Sequence, residues 1–173
     1  PYLCGHATIG AVATLVKLGR LPAEDGEKTF VVDTPSGPLA ARTQIRDGST
    51  RAVAIQMVPS FVYAVDQTVD IPELGRISLD LVCVGGFFAM VDAGKAGLDL
   101  ASETGQRLVS FGMAVIAAAN ETLTVLHPER PEVRTVDVAE FYTEHSDRKF
   151  SGKSAVIYGE SHIDRSPCGT GTT

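Results

Sequence analysis

Two segments of the sequence share the pattern C-G-x-x-T: Cys4-Gly5-His6-Ala7-Thr8 and Cys168-Gly169-Thr170-Gly171-Thr172, 164 residues apart. In each, the cysteine stands where a helix is predicted to begin, directly before small residues whose backbone N–H groups lack intrahelical acceptors. Pro167 fits a chain turn at the second copy. A helix N-terminus carries about half a positive charge, and thiols placed there fall from a pKa of about 8.5 to roughly 3.5–7.5. The same amides form an anion site. Two such helix ends facing one another would hold a carboxylate between them. If that carboxylate belongs to an amino acid, its Cα lies between two sulfurs, one thiolate and one thiol. Abstraction from one face and reprotonation from the other inverts the centre, which is general acid–base catalysis with matched groups.

Other uses of these residues compete with that reading. A lone cysteine at a helix start is commonly a small buried residue, and it is the second copy at a corresponding place that favours chemistry. A disulfide-forming redox pair of Cys4 and Cys168 lacks the C-x-x-C spacing of a dedicated oxidoreductase. Zinc fits less well: His6 lies two residues from Cys4, but a closed site wants four ligands at recurrent short spacings. No metal is expected. Cys83, in an apolar strand, reads as core filler. Asp164, four residues before Cys168, either takes the ammonium or imino nitrogen of a substrate or forms a turn. His6 either contacts the same nitrogen or faces solvent from the first helical turn. Arg165 reads as a partner for a neighbouring acid, and His127, His145 and His162 read as surface residues in polar loops.

Composition narrows the partners. The 173 residues are 44% apolar and 21% charged with a net charge of −6, an ordinary soluble composition for one domain or two small ones. The acidic balance has no long run of like charge, which argues against nucleic acid and against an anionic membrane surface; a small-molecule substrate is expected. The most apolar stretch, Ala11 to Leu18, is far shorter than the roughly 20 residues of a membrane span. Three scattered cysteines give no disulfide framework, so a reduced, cytoplasmic chain is expected. The sequence opens at Pro1 and stops at Thr173 as a motif opens, from which we expect a portion of a larger protein, inactive alone.

The elements that must position these residues alternate. Gly5 to Leu18 reads as a helix stopped by Gly19, with so little polar face that enclosure on most sides is expected. Strands are predicted at Lys28–Asp33, Leu39–Gln44, Arg51–Met57, Phe61–Val65, Arg76–Val84 and Phe87–Asp92, with a bulge or close approach at Gly85-Gly86. Ser102 to Asn120 reads as an amphipathic helix capped by Ser102. Strands at Thr122–Leu126, Val133–Phe141 and Lys153–Tyr158 precede a loop opening a further helix. Two α/β units result, residues 1–59 with the first cysteine and 60–173 up to the second.

LCGHATIG at 3–10 and DRSPCGTGT at 164–172 resemble the paired signatures of the proline racemase family, which comprises proline racemases, 4-hydroxyproline 2-epimerases and trans-3-hydroxyproline dehydratases. VPSFV at 58–62, VGGFFAMVDA at 84–93 and HPERPEV at 127–133 extend the likeness over the chain. The resemblance implies an α/β (α+β) fold of the diaminopimelate-epimerase-like kind: two similar domains, each a curled sheet around a central helix, with a cofactor-independent site in the cleft. It implies Cys4 and Cys168 as the acid–base pair, His6 and Asp164 as contacts to the substrate nitrogen, and backbone amides around Gly5, His6, Gly169, Thr170 and Gly171 as the carboxylate cradle. Dehydratase members typically carry threonine in place of the second cysteine; both cysteines stand here. The expected activity is therefore an isomerase inverting Cα of proline or 4-hydroxyproline. A dehydratase and a catalytically silent thiol or amino-acid-binding module are the alternatives, and a homodimer is admitted. The run Gly85-Gly86-Phe87-Phe88 is one residue shorter than the family pattern and bears on substrate selection.

Overall fold

A computed structural model describes residues 3–144 and 152–173. His145 lies outside the described residues. The chain divides into two compact units, one ending at Pro59 and the other spanning Ser60–Thr173.

The first unit begins with α1 (Gly5–Lys17), followed by β1 (Gly26–Thr34), β2 (Gly37–Arg46) and β3 (Ser49–Ile55). These strands form an antiparallel sheet in sequence order. Asp47-Gly48 is the two-residue turn of the second hairpin, with both residues at positive φ (53° and 64°), as the twist of paired strands requires. The helix packs against β3 and buries one stripe at helical spacing, Gly5, Thr8, Val12 and Val16. Its flanks stay open, Ile9 37% and Leu15 40% exposed. The expected enclosure is thus one-sided among the described residues, because a three-stranded sheet faces only one side of a helix.

The second unit is a six-stranded sheet in the order β4 (Ser60–Ile71), β5 (Gly75–Val84), β6 (Phe87–Asp92), β7 (Val136–Glu144), β8 (Gly152–Tyr158) and β9 (His162–Ile163). All neighbours are antiparallel except β6 and β7. A parallel pair needs a long crossover, and α2 (Gly105–Thr122) supplies it. Thr104, not Ser102, caps this helix, its hydroxyl accepting from the Arg107 amide at 3.3 Å; Ser102 Oγ instead donates to the Asp99 carbonyl. At the far end Asn120 splices helix to strand. Its side chain donates to the Val136 carbonyl and accepts from the Val136 amide, both at 2.8 Å. Helix and sheet approach so closely at Gly112 that a Cβ there would lie 2.6 Å from Ile157.

Three further expectations change. The strand predicted at Phe61–Val65 runs on to Ile71, because a bulge absorbs the polar break: Asp66 turns to φ 53° and its amide, taken out of the ladder, donates to Asp80 Oδ1 at 2.8 Å. Thr122–Leu126 is no strand; Thr122 closes α2, its hydroxyl donating to the Ala118 carbonyl at 2.7 Å. Gly85-Gly86 forms the tight link of the β5–β6 hairpin, with the Val84 amide donating to the Gly86 carbonyl. Cys83 is fully buried, as a core residue should be. Among the described residues no helix is long and apolar enough to cross a membrane.

Candidate active site

In the first unit, Cys4 is the N-cap of α1, in extended conformation (φ −138°, ψ 96°), and its side chain does not cap the helix. The first-turn amides of Gly5, His6 and Ala7 accordingly point out of the helix end without intrahelical acceptors. The Cys4 carbonyl accepts twice from Thr8, from its amide at 3.1 Å and its hydroxyl at 3.0 Å. Gly5 is buried against Ile55, whereas Cys4 and His6 are exposed.

In the second unit, the short β8–β9 hairpin turns the chain back along the sheet, and the Asp164 amide donates to the Val156 carbonyl. From there a relay of turns delivers the second cysteine. Asp164 Oδ1 accepts from the amide and the hydroxyl of Ser166, both at 2.8 Å, and Ser166 Oγ accepts from the Cys168 amide at 3.2 Å. Cys168 is buried and held at φ 58°, a left-handed conformation costing a non-glycine residue about 1–3 kcal/mol and typical of functional sites. Its sulfur shares a hydrogen bond with Thr170 Oγ1 (3.3 Å) and accepts from the Gly171 amide (3.4 Å). The Cys168 carbonyl accepts from the amide and hydroxyl of Thr172 at 3.0 and 2.9 Å, the same double closure that Thr8 makes on Cys4. The expected helix opening at Cys168 is, in the described residues, a single turn of this kind.

Gly171 rests on the sheet. A Cβ at this position would come within 2.5 Å of Glu140 Oε2 and 3.1 Å of Val156 Cγ2, so only glycine allows the turn to lie this close. On this face Phe61, Phe88, Met90 and Glu140 line a cavity of about 390 Å³ whose wall Thr170 and Gly171 complete. Glu140 is 2% exposed, and burial raises its carboxyl pKa to about 7, opposed by a hydrogen bond with Ser154.

The structure thus gathers Asp164, Cys168, Gly169, Thr170 and Gly171 into one loop of the second unit, and Cys4, Gly5 and His6 at one helix end of the first. Ser166 and Glu140 escaped the sequence reading. Ser166 carries a local signal, since D-x-S is an Asx-turn pattern. Glu140 carries a weaker one: it continues the inward alternation of Val136 and Val138 with a charged residue. His127 corrects an expectation. It is buried, not on the surface, because its Nδ1 accepts from the amides of Glu129 and Arg130, each at 3.1 Å, and its ring meets Phe61 edge-on at 5.5 Å. His162 is exposed and stacks on Tyr158.

Comparison with known proteins agrees with this fold. The model of the proline racemase family matches residues 1–173, and the chain belongs to that family. It is 33% identical over 171 residues to a proline racemase of Clostridioides difficile, covering 99% of this chain and 51% of the relative. It is 34% identical over 171 residues to a 4-hydroxyproline 2-epimerase of Streptosporangium roseum, with the same coverage. Among solved structures, a hydroxyproline epimerase from Agrobacterium vitis with bound trans-4-hydroxy-L-proline superposes with a TM-score of 0.86 at 32% identity, over 99% of this chain and 49% of that one. A probable proline racemase from Agrobacterium radiobacter with bound carbonate gives 0.87 at 34% identity, over 98% and 49%. The chain spans about half the length of the relatives it matches.

Proposed function

We propose that this chain supplies both thiols of a cofactor-independent racemase or epimerase that inverts Cα of proline or 4-hydroxyproline. In this reading one cysteine, as thiolate, takes the Cα proton, and the electron pair passes into the substrate carboxylate. The other cysteine, as thiol, then gives its proton to the opposite face, leaving the two sulfurs with exchanged protonation states, ready for the reverse direction. The amides of Gly5, His6, Gly169 and Thr170 hold the carboxylate, and Asp164 and His6 contact the nitrogen. The observation that carries the reading is the shared local architecture of Cys4 and Cys168. Each opens its C-G-x-x-T motif and has its carbonyl closed by the threonine four residues on, in a chain that belongs to the proline racemase family. The substrate is a small amino acid, the compartment the cytoplasm, and a homodimer is compatible with the reading.

The test is stereoinversion and α-hydrogen exchange in deuterated water, measured on the full-length protein with L- and D-proline and with trans-4-hydroxy-L-proline. Cys4→Ser and Cys168→Ser are each expected to abolish inversion, and iodoacetate to inactivate unless a planar analogue such as pyrrole-2-carboxylate protects. Inversion at the original rate in either variant overturns the assignment. A keto product from trans-3-hydroxyproline would instead reveal a dehydratase, and ligand binding with no exchange a silent binding module.

A further inference from the structure

Glu140 stands apart from the rest of the sheet. On β7 it pairs in register with Met90 of β6 on one side and Val156 of β8 on the other, and it is buried with its Oε2 unpartnered among the described residues. The Cys168 loop lies directly over it. Gly171 is the point of contact, and the same Gly171 donates its amide to the Cys168 sulfur. One glycine therefore separates a buried carboxyl from the thiol, with the carboxyl on its sheet side and the sulfur on its loop side.

We propose that Glu140 is a positioning residue for Cys168: its carboxyl is the floor on which Gly171 is seated, and its protonation state sets the charge felt by the sulfur that Gly171 holds. Neutral, Glu140 leaves a negatively charged sulfur undisturbed. Ionised, it places a second negative charge behind the same glycine in a poorly hydrated setting, and two like charges so placed disfavour one another. Burial keeps the carboxyl protonated up to about pH 7, so the change falls within the working range of a thiol. The Ser154 hydroxyl favours the ionised form; Tyr142, Lys153, Asp164 and Arg165 are among the titratable and charged residues that line a second cavity with Glu140, and Ser60, Thr170 and Thr173 are the other polar residues of the first.

The effect on turnover rests on the reading of Cys168 as an acting thiol; the effect on the sulfur's own reactivity does not. The experiment reads the latter: the rate of iodoacetamide alkylation at Cys168 in the full-length protein, followed by peptide mass spectrometry between pH 5.5 and 9, with the same peptide alkylated after denaturation as reference. In the wild type the rise in Cys168 reactivity is held back above about pH 7. In Glu140→Gln, neutral at every pH, the restraint disappears and alkylation at pH 8 is about three- to tenfold faster. Ser154→Ala, at an exposed position, removes the hydroxyl that favours ionisation and moves the restraint to higher pH without disturbing the core. Glu140→Ala, which also removes the floor, is expected to scatter Cys168 reactivity where the isosteric glutamine does not. Identical Cys168 profiles in wild type, Glu140→Gln and Ser154→Ala overturn the proposal, whether or not the protein racemises anything. Loss of racemisation with the expected alkylation shift retains it and overturns only the assigned reaction.

Discussion

Thr172 closes twice on the carbonyl of Cys168, through its amide at 3.0 Å and its hydroxyl at 2.9 Å. Thr8 does the same to Cys4 at 3.1 and 3.0 Å. The shared threonine of the two motifs thus has a structural task, which is to close the turn that begins at each cysteine. Replacing Thr172 by valine keeps the shape and removes the hydroxyl bond, a loss of about 1 kcal/mol in a partly buried turn, whereas serine retains it. Amide exchange at Thr172 is the measure. Protection is expected to fall several-fold in Thr172→Val and to stay near wild type in Thr172→Ser; equal protection in both variants would leave the hydroxyl without a role.

Because the two motifs match in sequence, their resemblance was legible at once, but only the clasp recurs and not the surrounding backbone. Cys4 is extended and starts thirteen residues of helix. Cys168 sits at φ 58°, a state no residue type announces, since it is imposed by Ser166 and Asp164 upstream and by the sheet beneath. Regular alternation made β5 and β6 readable to within a residue. The far half of β4 was hidden because Asp66 and Gln67 break the alternation where the bulge lies. Glu140 was invisible for a related reason: its meaning depends on the β7–β8 register and on a loop arriving some 30 residues later, and neither can be counted along the chain.

Under the proposed function Asp164 has two duties, which a single substitution can separate. Its Oδ1 accepts from the amide and hydroxyl of Ser166 and so starts the relay to the Cys168 amide, while its charge is what a substrate ammonium would meet. Asparagine keeps an acceptor for the turn and removes the charge. Asp164→Asn is therefore expected to retain the fold and Cys168 reactivity while raising KM by roughly ten- to a hundredfold, the range of a lost charged hydrogen bond. Asp164→Ala should additionally lower kcat as the relay comes apart. If asparagine leaves KM unchanged, Asp164 serves the turn alone.

The buried carboxyl of Glu140 makes the stability of the second unit depend on pH with a definite sign. Its pKa rises from an ordinary 4.5 to about 7 on folding, mainly through burial, so between those values the folded state binds more protons than the unfolded chain. Stability is then full below about pH 4.5 and is lost as pH climbs through 7, by on the order of 3 kcal/mol from this group. Denaturant midpoints measured from pH 4.5 to 8.5 should show this decline in the wild type and a flatter curve in Glu140→Gln. A wild-type curve no steeper than that of the glutamine variant would mean that the carboxyl is hydrated after all.

His127 acts with the opposite sign. Burial is the larger cause holding its pKa below the ordinary 6.5, with Arg130 adding to it against Glu129 and Glu132. The geometry supplies a further reason: Nδ1 accepts two amides, from Glu129 and Arg130, and a proton there would displace both. The contribution of His127 is intact above pH 6.5 and is lost as pH falls through its folded value. His127→Asn can present a carbonyl oxygen to the same two amides with no titration. His127→Ala leaves them unpaired in a buried loop, at about 1–3 kcal/mol. Thermal midpoints between pH 5 and 7.5 should therefore fall with acidification in the wild type more than in the asparagine variant, and lie lowest in the alanine variant at pH 7.5. Parallel slopes for wild type and asparagine would show that the loop is held by Phe61 packing and not by the imidazole acceptor.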